Sequence, residues 1–148
     1  MGWAIHLHIV SAIAWLGGAF FMFLLGVTLR KEEDKEAVYP RIGPIYGYFE
    51  IVALVLLLIT GYVMISSNGL LDILFSNLSN QTIDALRMKL YIVAIIVVLT
   101  IIHTTISMLR IHKKKTRVET LISRGSSMGI FILNLIVLHY AMVLRDVL

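Results

Sequence analysis

Residues Trp3 to Thr28 read WAIHLHIVSAIAWLGGAFFMFLLGVT, a stretch with no aspartate, glutamate, lysine or arginine. A helix rising about 1.5 Å per residue needs roughly 20 predominantly apolar residues to cross the hydrocarbon core of a bilayer. This stretch is long enough to do so. Three further apolar runs follow, Ile45 to Ser66, Leu90 to Leu109 and Met128 to Leu144. The strands of a membrane barrel would instead alternate apolar and polar residues, and no such alternation occurs. Of the 148 residues, 59% are hydrophobic and 15% charged, with a mean hydropathy of +0.90. A water-exposed domain of this size would have to show much of that surface to solvent. The expected fold is therefore all-α, an integral membrane four-helix up-down bundle forming one domain over residues 1–148. The periodic runs and breakers put its helices at about 3–29, 45–67, 83–112 and 125–146.

The first run lacks a basic leader, exceeds the length of a signal-peptide core and is followed by three more spans, so the expectation is a retained helix. The chain has no cysteine, which excludes disulfides, thiolate ligands and covalent haem attachment through a CxxCH motif. Any cofactor must be held by other side chains. Hydrolase, zinc-protease, nucleotide-phosphate and dinucleotide fingerprints are absent as well.

Charge is unevenly divided. The connection after helix one carries Arg30, Lys31, Lys35 and Arg41, and the connection after helix three carries Arg110, Lys113, Lys114, Lys115, Arg117 and Arg124. These ten of the thirteen basic residues lie on one side, leaving Arg87, Lys89 and Arg145 for the other. The positive-inside rule then places both connections in the cytoplasm and both termini outside, in a multi-pass inner (plasma) membrane protein. The lysine cluster reads as an anchor beside lipid headgroups, and no nucleic-acid partner is expected. Residues Gly69 to Asp84 suit an outer interfacial turn of helix, with Asn80 or Thr82 capping helix three. Pro40 and Pro44 are expected at the start of helix two, where the first amides have no partner.

At about 100° per residue, His6 and His8 point to nearly opposite sides of helix one. His8 shares its stripe with Ser11, Ala12, Trp15, Gly18, Ala19, Met22 and Gly26, whereas His6 lies with Val10, Ile13, Gly17, Phe20 and Leu24. Small residues mark close approach between membrane helices or room for a flat group, so His8 is the inward histidine and His6 belongs to the headgroup level. An imidazole at membrane depth needs pairing, hydration or a metal. Counted from Arg145, His139 lies roughly 9 Å deep by helical rise, similar to His8. Two imidazoles at one depth, with no cysteine or carboxylate beside them, suggest the axial ligands of a b-type haem. Arg87 and Lys89, at the same outer level, are candidates to receive the propionates, and Trp15 to pack on the porphyrin.

The segment LHIVSAIAWLGGAFFM, Leu7 to Met22, resembles the first helix of the HemJ protoporphyrinogen oxidase family and of the related CopD-like copper-resistance membrane domains. In both, a histidine is followed seven residues later by tryptophan, then by a small pair and aromatics. The run RMKLYIVAIIVVLTIIH, Arg87 to His103, is similar to the third helix of that superfamily, with a Lys-Leu pair at its outer end and a histidine further on. The resemblance takes in two of the four expected helices, about half the chain. The resemblance implies that His8 is a haem-ligating or otherwise essential histidine and Lys89 an essential, catalytic lysine. It further implies haem b as cofactor and an oxidoreductase of the protoporphyrinogen oxidase type, with a quinone or a porphyrinogen as hydrophobic partner.

Two alternatives remain beside that reading: a copper-handling permease of the CopD type, and a structural membrane subunit whose histidines pack. The seven methionines form no Met-x-x-Met or Met-x-x-x-Met array and read as packing residues. His103 shares a stripe with Lys89, Ile92, Ile96, Thr100, Ser107 and Arg110 and lies near the depth of Glu50. It is open to three roles: proton exchange with that carboxylate, haem ligation, or a structural hydrogen bond. His112 reads as a surface residue and Asn134 as interhelical hydrogen-bond glue. The expected surroundings are lipid, with homo-oligomer formation left open.

Overall fold

The computed structural model describes residues 2–109 and 117–147. All regular structure among these residues is α-helical: α1 (Gly2–Thr28), α2 (Glu32–Ser67), α3 (Leu70–Leu74), α4 (Gln81–Leu109) and α5 (Arg117–Val147). Four helical stretches are long and apolar enough to cross a membrane, Gly2–Thr28, Glu32–Ser67, Gln81–Leu109 and, within α5, Gly125–Arg145. Large apolar side chains such as Ile13, Leu24, Val52 and Tyr91 are exposed on them. That surface suits lipid as the surrounding medium and fits a multi-pass membrane protein.

The chain divides into two compact units, Met1–Asp72 and Ile73–Leu148. The first is the α1–α2 hairpin. In α1 the buried residues Ala4, Ser11 and Trp15 are spaced by seven and four, the repeat of one helical face. In α2 the buried residues are Glu50, Ala53 and Thr60. The helices run antiparallel: Gly26 approaches Tyr39, Gly18 approaches Tyr46 and His8 meets Thr60 and Gly61. The connection needs only Leu29 to Lys31.

The start of α2 differs from the expectation of residue 45. The helix begins at Glu32 and carries Pro40 and Pro44 inside it. Residues 32–39, EEDKEAVY, include good helix formers. Acidic Glu32, Glu33 and Asp34 occupy the first turn, where the positive end of the helix dipole favours them. Lys35 adds an ion pair to Glu32 at 3.6 Å. Proline's fixed φ is compatible with a helix; each ring removes one amide donor, leaving the carbonyls of Glu36 and Pro40 without their usual partners. A helix already nucleated ahead of the prolines tolerates that loss. At the other end the Asn68 amide donates to the Met64 carbonyl. Gly69, at φ 67°, then takes the left-handed conformation that stops the helix.

The second unit is the α4–α5 hairpin. Ala85, Ile92, Ile96 and Thr100 form the buried stripe of α4. Ser126, Ile130, Asn134 and Leu144 form that of α5. Leu99 packs on Gly129, and Ala85 and Met88 line one groove with Tyr140 and Val143. Numbers therefore fall along one helix as they rise along the other, and Lys89 shares its level with His139. Asn80 caps α4 as anticipated: its Oδ1 accepts the Ile83 amide at 2.8 Å and its carbonyl accepts the Asp84 amide. Helix α5 starts eight residues before the expected 125, at Arg117. The basic run Arg110 to Lys115, with His112, lies outside the described residues.

In the first unit the Tyr46 ring occupies the space that a side chain at Gly18 would need. A Cβ at Gly18 would lie 2.8 Å from Cε2 of Tyr46, so Gly18→Ala is expected to lower stability by about 1–3 kcal/mol through overpacking. Combining it with Tyr46→Leu should recover part of the loss. Thermal unfolding of the single and double variants in one detergent measures this coupling; strict additivity would place the Tyr46 ring elsewhere.

Candidate functional site

The polar groups of the first unit gather on the α1–α2 seam. Thr60 is fully buried, and its hydroxyl donates to the Leu56 carbonyl at 2.6 Å. This is the bond a helical threonine makes back to the preceding turn. With its proton so directed, the same oxygen accepts from Nδ1 of His8 at 2.8 Å. The neutral imidazole is thereby held as the Nδ1–H tautomer, with the lone pair on Nε2, the atom through which such a ring binds metal or takes a proton. A hydrogen bond from the far ring nitrogen to a fixed acceptor is also how ligating histidines are oriented. Gly61 adjoins this pair: a Cβ there would stand 3.4 Å from Cε1 of His8, at contact distance, so the ring lies directly against α2.

His8 is half-buried, as its small-residue stripe implied, and His6 is exposed. The His6 ring donates from Nδ1 to the Gly2 carbonyl at 2.6 Å, within its own first turn. Trp15, two turns along from His8 on the same face, is only 6% exposed. Tyr46 lies over Gly18, and Glu50, one turn further on, is buried.

The other predicted site residues belong to the second unit. Lys89 is half-buried on α4, between Ala85 and Ile92 of the buried stripe, and His103 is half-buried further along. His139 is exposed at the level of Lys89, its ring edge-on to Tyr140 with centroids 5.6 Å apart. Arg87 has a different commitment. Its Nη2 donates to the carbonyls of Ser76 at 2.6 Å, Leu74 at 3.3 Å and Ile73 at 3.5 Å, and Nη1 lies 3.7 Å from Asp84. The guanidinium thus closes the end of α3, where the last carbonyls of a helix lack donors. Among the described residues no group of three or more His, Cys, Asp or Glu is arranged to hold a metal ion.

Sequence reasoning overlooked Thr60 and Tyr46. Thr60 interrupts the apolar run LVLLLITGYV, and a hydroxyl followed by glycine at that depth was the available signal. Comparison of the chain with protein-family models, curated proteins and solved structures found no match.

Thr60→Val keeps the shape of the side chain and removes the acceptor of the His8 Nδ1–H. The expected cost is about 1–3 kcal/mol for a buried donor left without its partner, together with loss of the fixed tautomer. Nitrogen-15 chemical shifts of the His8 ring measure the second effect directly. Thr60→Ser should restore both properties, and an unchanged ring spectrum in Thr60→Val would dissolve the pairing.

Proposed function

We propose that the protein is an integral membrane four-helix up-down bundle of the HemJ/CopD-like kind that binds b-type haem. In this reading it exchanges electrons with a hydrophobic partner, a quinone or a porphyrinogen. The observation that carries the proposal is the chain from His8 Nδ1 through Thr60 Oγ1 to the Leu56 carbonyl. It presents an oriented imidazole with its ligating nitrogen defined, on a helix face with small residues and beside a glycine.

Bound haem would supply one-electron exchange at its iron. His8 would hold the iron through Nε2, and Thr60, which accepts from Nδ1, would orient the ring and raise its basicity. Trp15, proposed from the sequence to pack on the porphyrin, lies seven residues away on the same face, about 10 Å along the helix, and is already buried. His139 is the second imidazole proposed from depth. Lys89 is the cation for a propionate or an anionic substrate: its half-buried stem lies on an apolar helix, where an ammonium seeks a counter-charge or the surface. Arg87 is occupied by the Ile73–Ser76 carbonyls, which leaves Lys89 as the better placed of the two cations proposed from the sequence. His103 is a further cofactor-contact candidate.

A reduced-minus-oxidised visible spectrum of the protein purified from haem-sufficient cells tests the proposal. Sharp Soret and α bands are expected. They should be lost or converted in His8→Ala and His139→Ala, and kept in His6→Ala and His112→Ala. Lys89→Met should lower haem occupancy or shift its midpoint potential, with Lys89→Arg retaining part of the effect. A colourless protein with stoichiometric copper would replace this reading with the copper-handling one.

The charge distribution adds a proposed orientation in the inner membrane. A tag after Leu148 should react with an impermeant reagent from outside intact cells, and a tag among Lys113 to Lys115 only after permeabilisation. The reverse pattern would turn the His8 end of the hairpin towards the cytoplasm.

A further inference from the structure

Glu50 plays no part in the reading above, yet it is the one acidic residue in the buried stripe of α2. It is 7% exposed, between Tyr46 and Ala53 on the α1–α2 seam. Across from it α1 offers Ser11, Trp15 and Gly18, since Tyr46 lies against Gly18 while Phe49, Val52 and Ala53 share a groove with Ser11 and Ala14. From Gly2 to Thr28, α1 contains no acidic residue, lysine or arginine, and its only titratable side chains are His6 and His8. His8 meets Thr60, ten residues further along α2 from Glu50, a separation of about 15 Å by helical rise. Within α2 the nearest titratable neighbour on this face is Tyr46, and the nearest cation, Arg41, is nine residues away and exposed.

The salt bridges among the described residues join Lys35 to Glu32 and Arg87 to Asp84, and among those residues no salt bridge or hydrogen bond reaches the Glu50 carboxyl. An unpaired carboxylate is costly in such surroundings, a medium of low polarity, and the group takes up a proton instead. The two directions along the seam differ in polarity. Towards Thr60 the seam continues through Ala53, Leu56 and Leu57. Towards the start of α2 the next polar group on this face is the Tyr46 hydroxyl, and the first charged residue in that direction, Arg41, is about 13.5 Å away by helical rise.

We propose that Glu50 is a proton-binding site in the α1–α2 seam, a carboxyl group that resides in the membrane as the neutral acid and exchanges its proton with water through the Tyr46 end. The inference shares with the proposed function only the placement of α2 in a bilayer; it needs no haem.

A neutral acid in an apolar setting has a recognisable reactivity. Its O–H adds across a C=N bond of a carbodiimide: the carboxyl oxygen bonds to the central carbon, the proton moves to nitrogen, and the adduct rearranges to a stable N-acylurea without exchange of electrons. The full-length protein in lipid nanodiscs is treated with dicyclohexylcarbodiimide, or with a water-soluble carbodiimide, and the adduct is mapped by mass spectrometry. The lipid-soluble reagent should label Glu50, the water-soluble one should leave it unmodified, and E50Q should lose the label. Infrared difference spectra of untreated protein provide a second measurement that needs no variant to fold. A protonated-carboxyl band should be present and shift on transfer to D2O, and Y46F should slow that shift. Absence of the band, or labelling of Glu50 by the water-soluble reagent alone, would show an ionised, water-facing carboxylate and overturn the proposal. A band that never shifts in D2O would overturn the exchange. Because these readouts contain no haem signal, a colourless preparation leaves them interpretable, and a haem-bound preparation without the Glu50 band rejects this inference alone.

Discussion

The first hairpin depends on one constraint: a polar hydrogen brought into an apolar seam must find an acceptor there. Thr60 satisfies two groups with one oxygen. Its own proton goes back to Leu56 while the oxygen takes the His8 Nδ1–H. The arrangement works only if α1 and α2 approach closely, and glycines permit that at two levels, Gly61 beside His8 and Gly18 beneath Tyr46. Packing and polarity are therefore not separable here. A Cβ at Gly18 would push apart surfaces that the hydrogen bond requires to be near.

The second hairpin solves its polar problem at its end. Arg87 extends its guanidinium over the carbonyls of Ile73, Leu74 and Ser76, and Asn80 and Ser79 fix the first turn of α4 through Ile83 and Asp84. These contacts make a short helical turn into a defined joint ahead of α4. Lys89, half a turn beyond Arg87, is spared that duty because its stem follows the buried stripe instead of the loop.

Much of this was legible in the chain, for identifiable reasons. Four apolar runs announced four long helices because hydropathy registers the surrounding medium. The contrast between the small residues around His8 and the bulky ones around His6 gave the right face for each, since close helix approach demands small side chains. Asn80 was legible as a cap because its side chain acts locally. The start of α2 was not, because a charged helical segment ahead of two prolines looks like a connection when judged by apolarity alone. Thr60 escaped notice because its role is to complete a bond begun on another helix, and a single sequence does not display pairings between distant positions. The task of Arg87 was hidden similarly: a cation near a helix start looks available for any anion until the carbonyls around it are seen.

The length of α2 gives the hairpin a geometry of its own. Thirty-six residues make a rod about 54 Å long, against a hydrocarbon thickness of roughly 30 Å. From Thr60 at His8 to Tyr39 at Gly26, the rod keeps α1 alongside it. Beyond Tyr39 it continues for nearly two further turns carrying Glu32, Glu33, Asp34, Lys35 and Glu36. With α2 spanning a bilayer as proposed, the bend of the hairpin is carried clear of the lipid on a helical stalk in place of a slack loop. The charged tip, Glu50 and Thr60 thus belong to one continuous helix. Pro40 and Pro44, where the backbone bonding is thinnest, are the places at which it would bend.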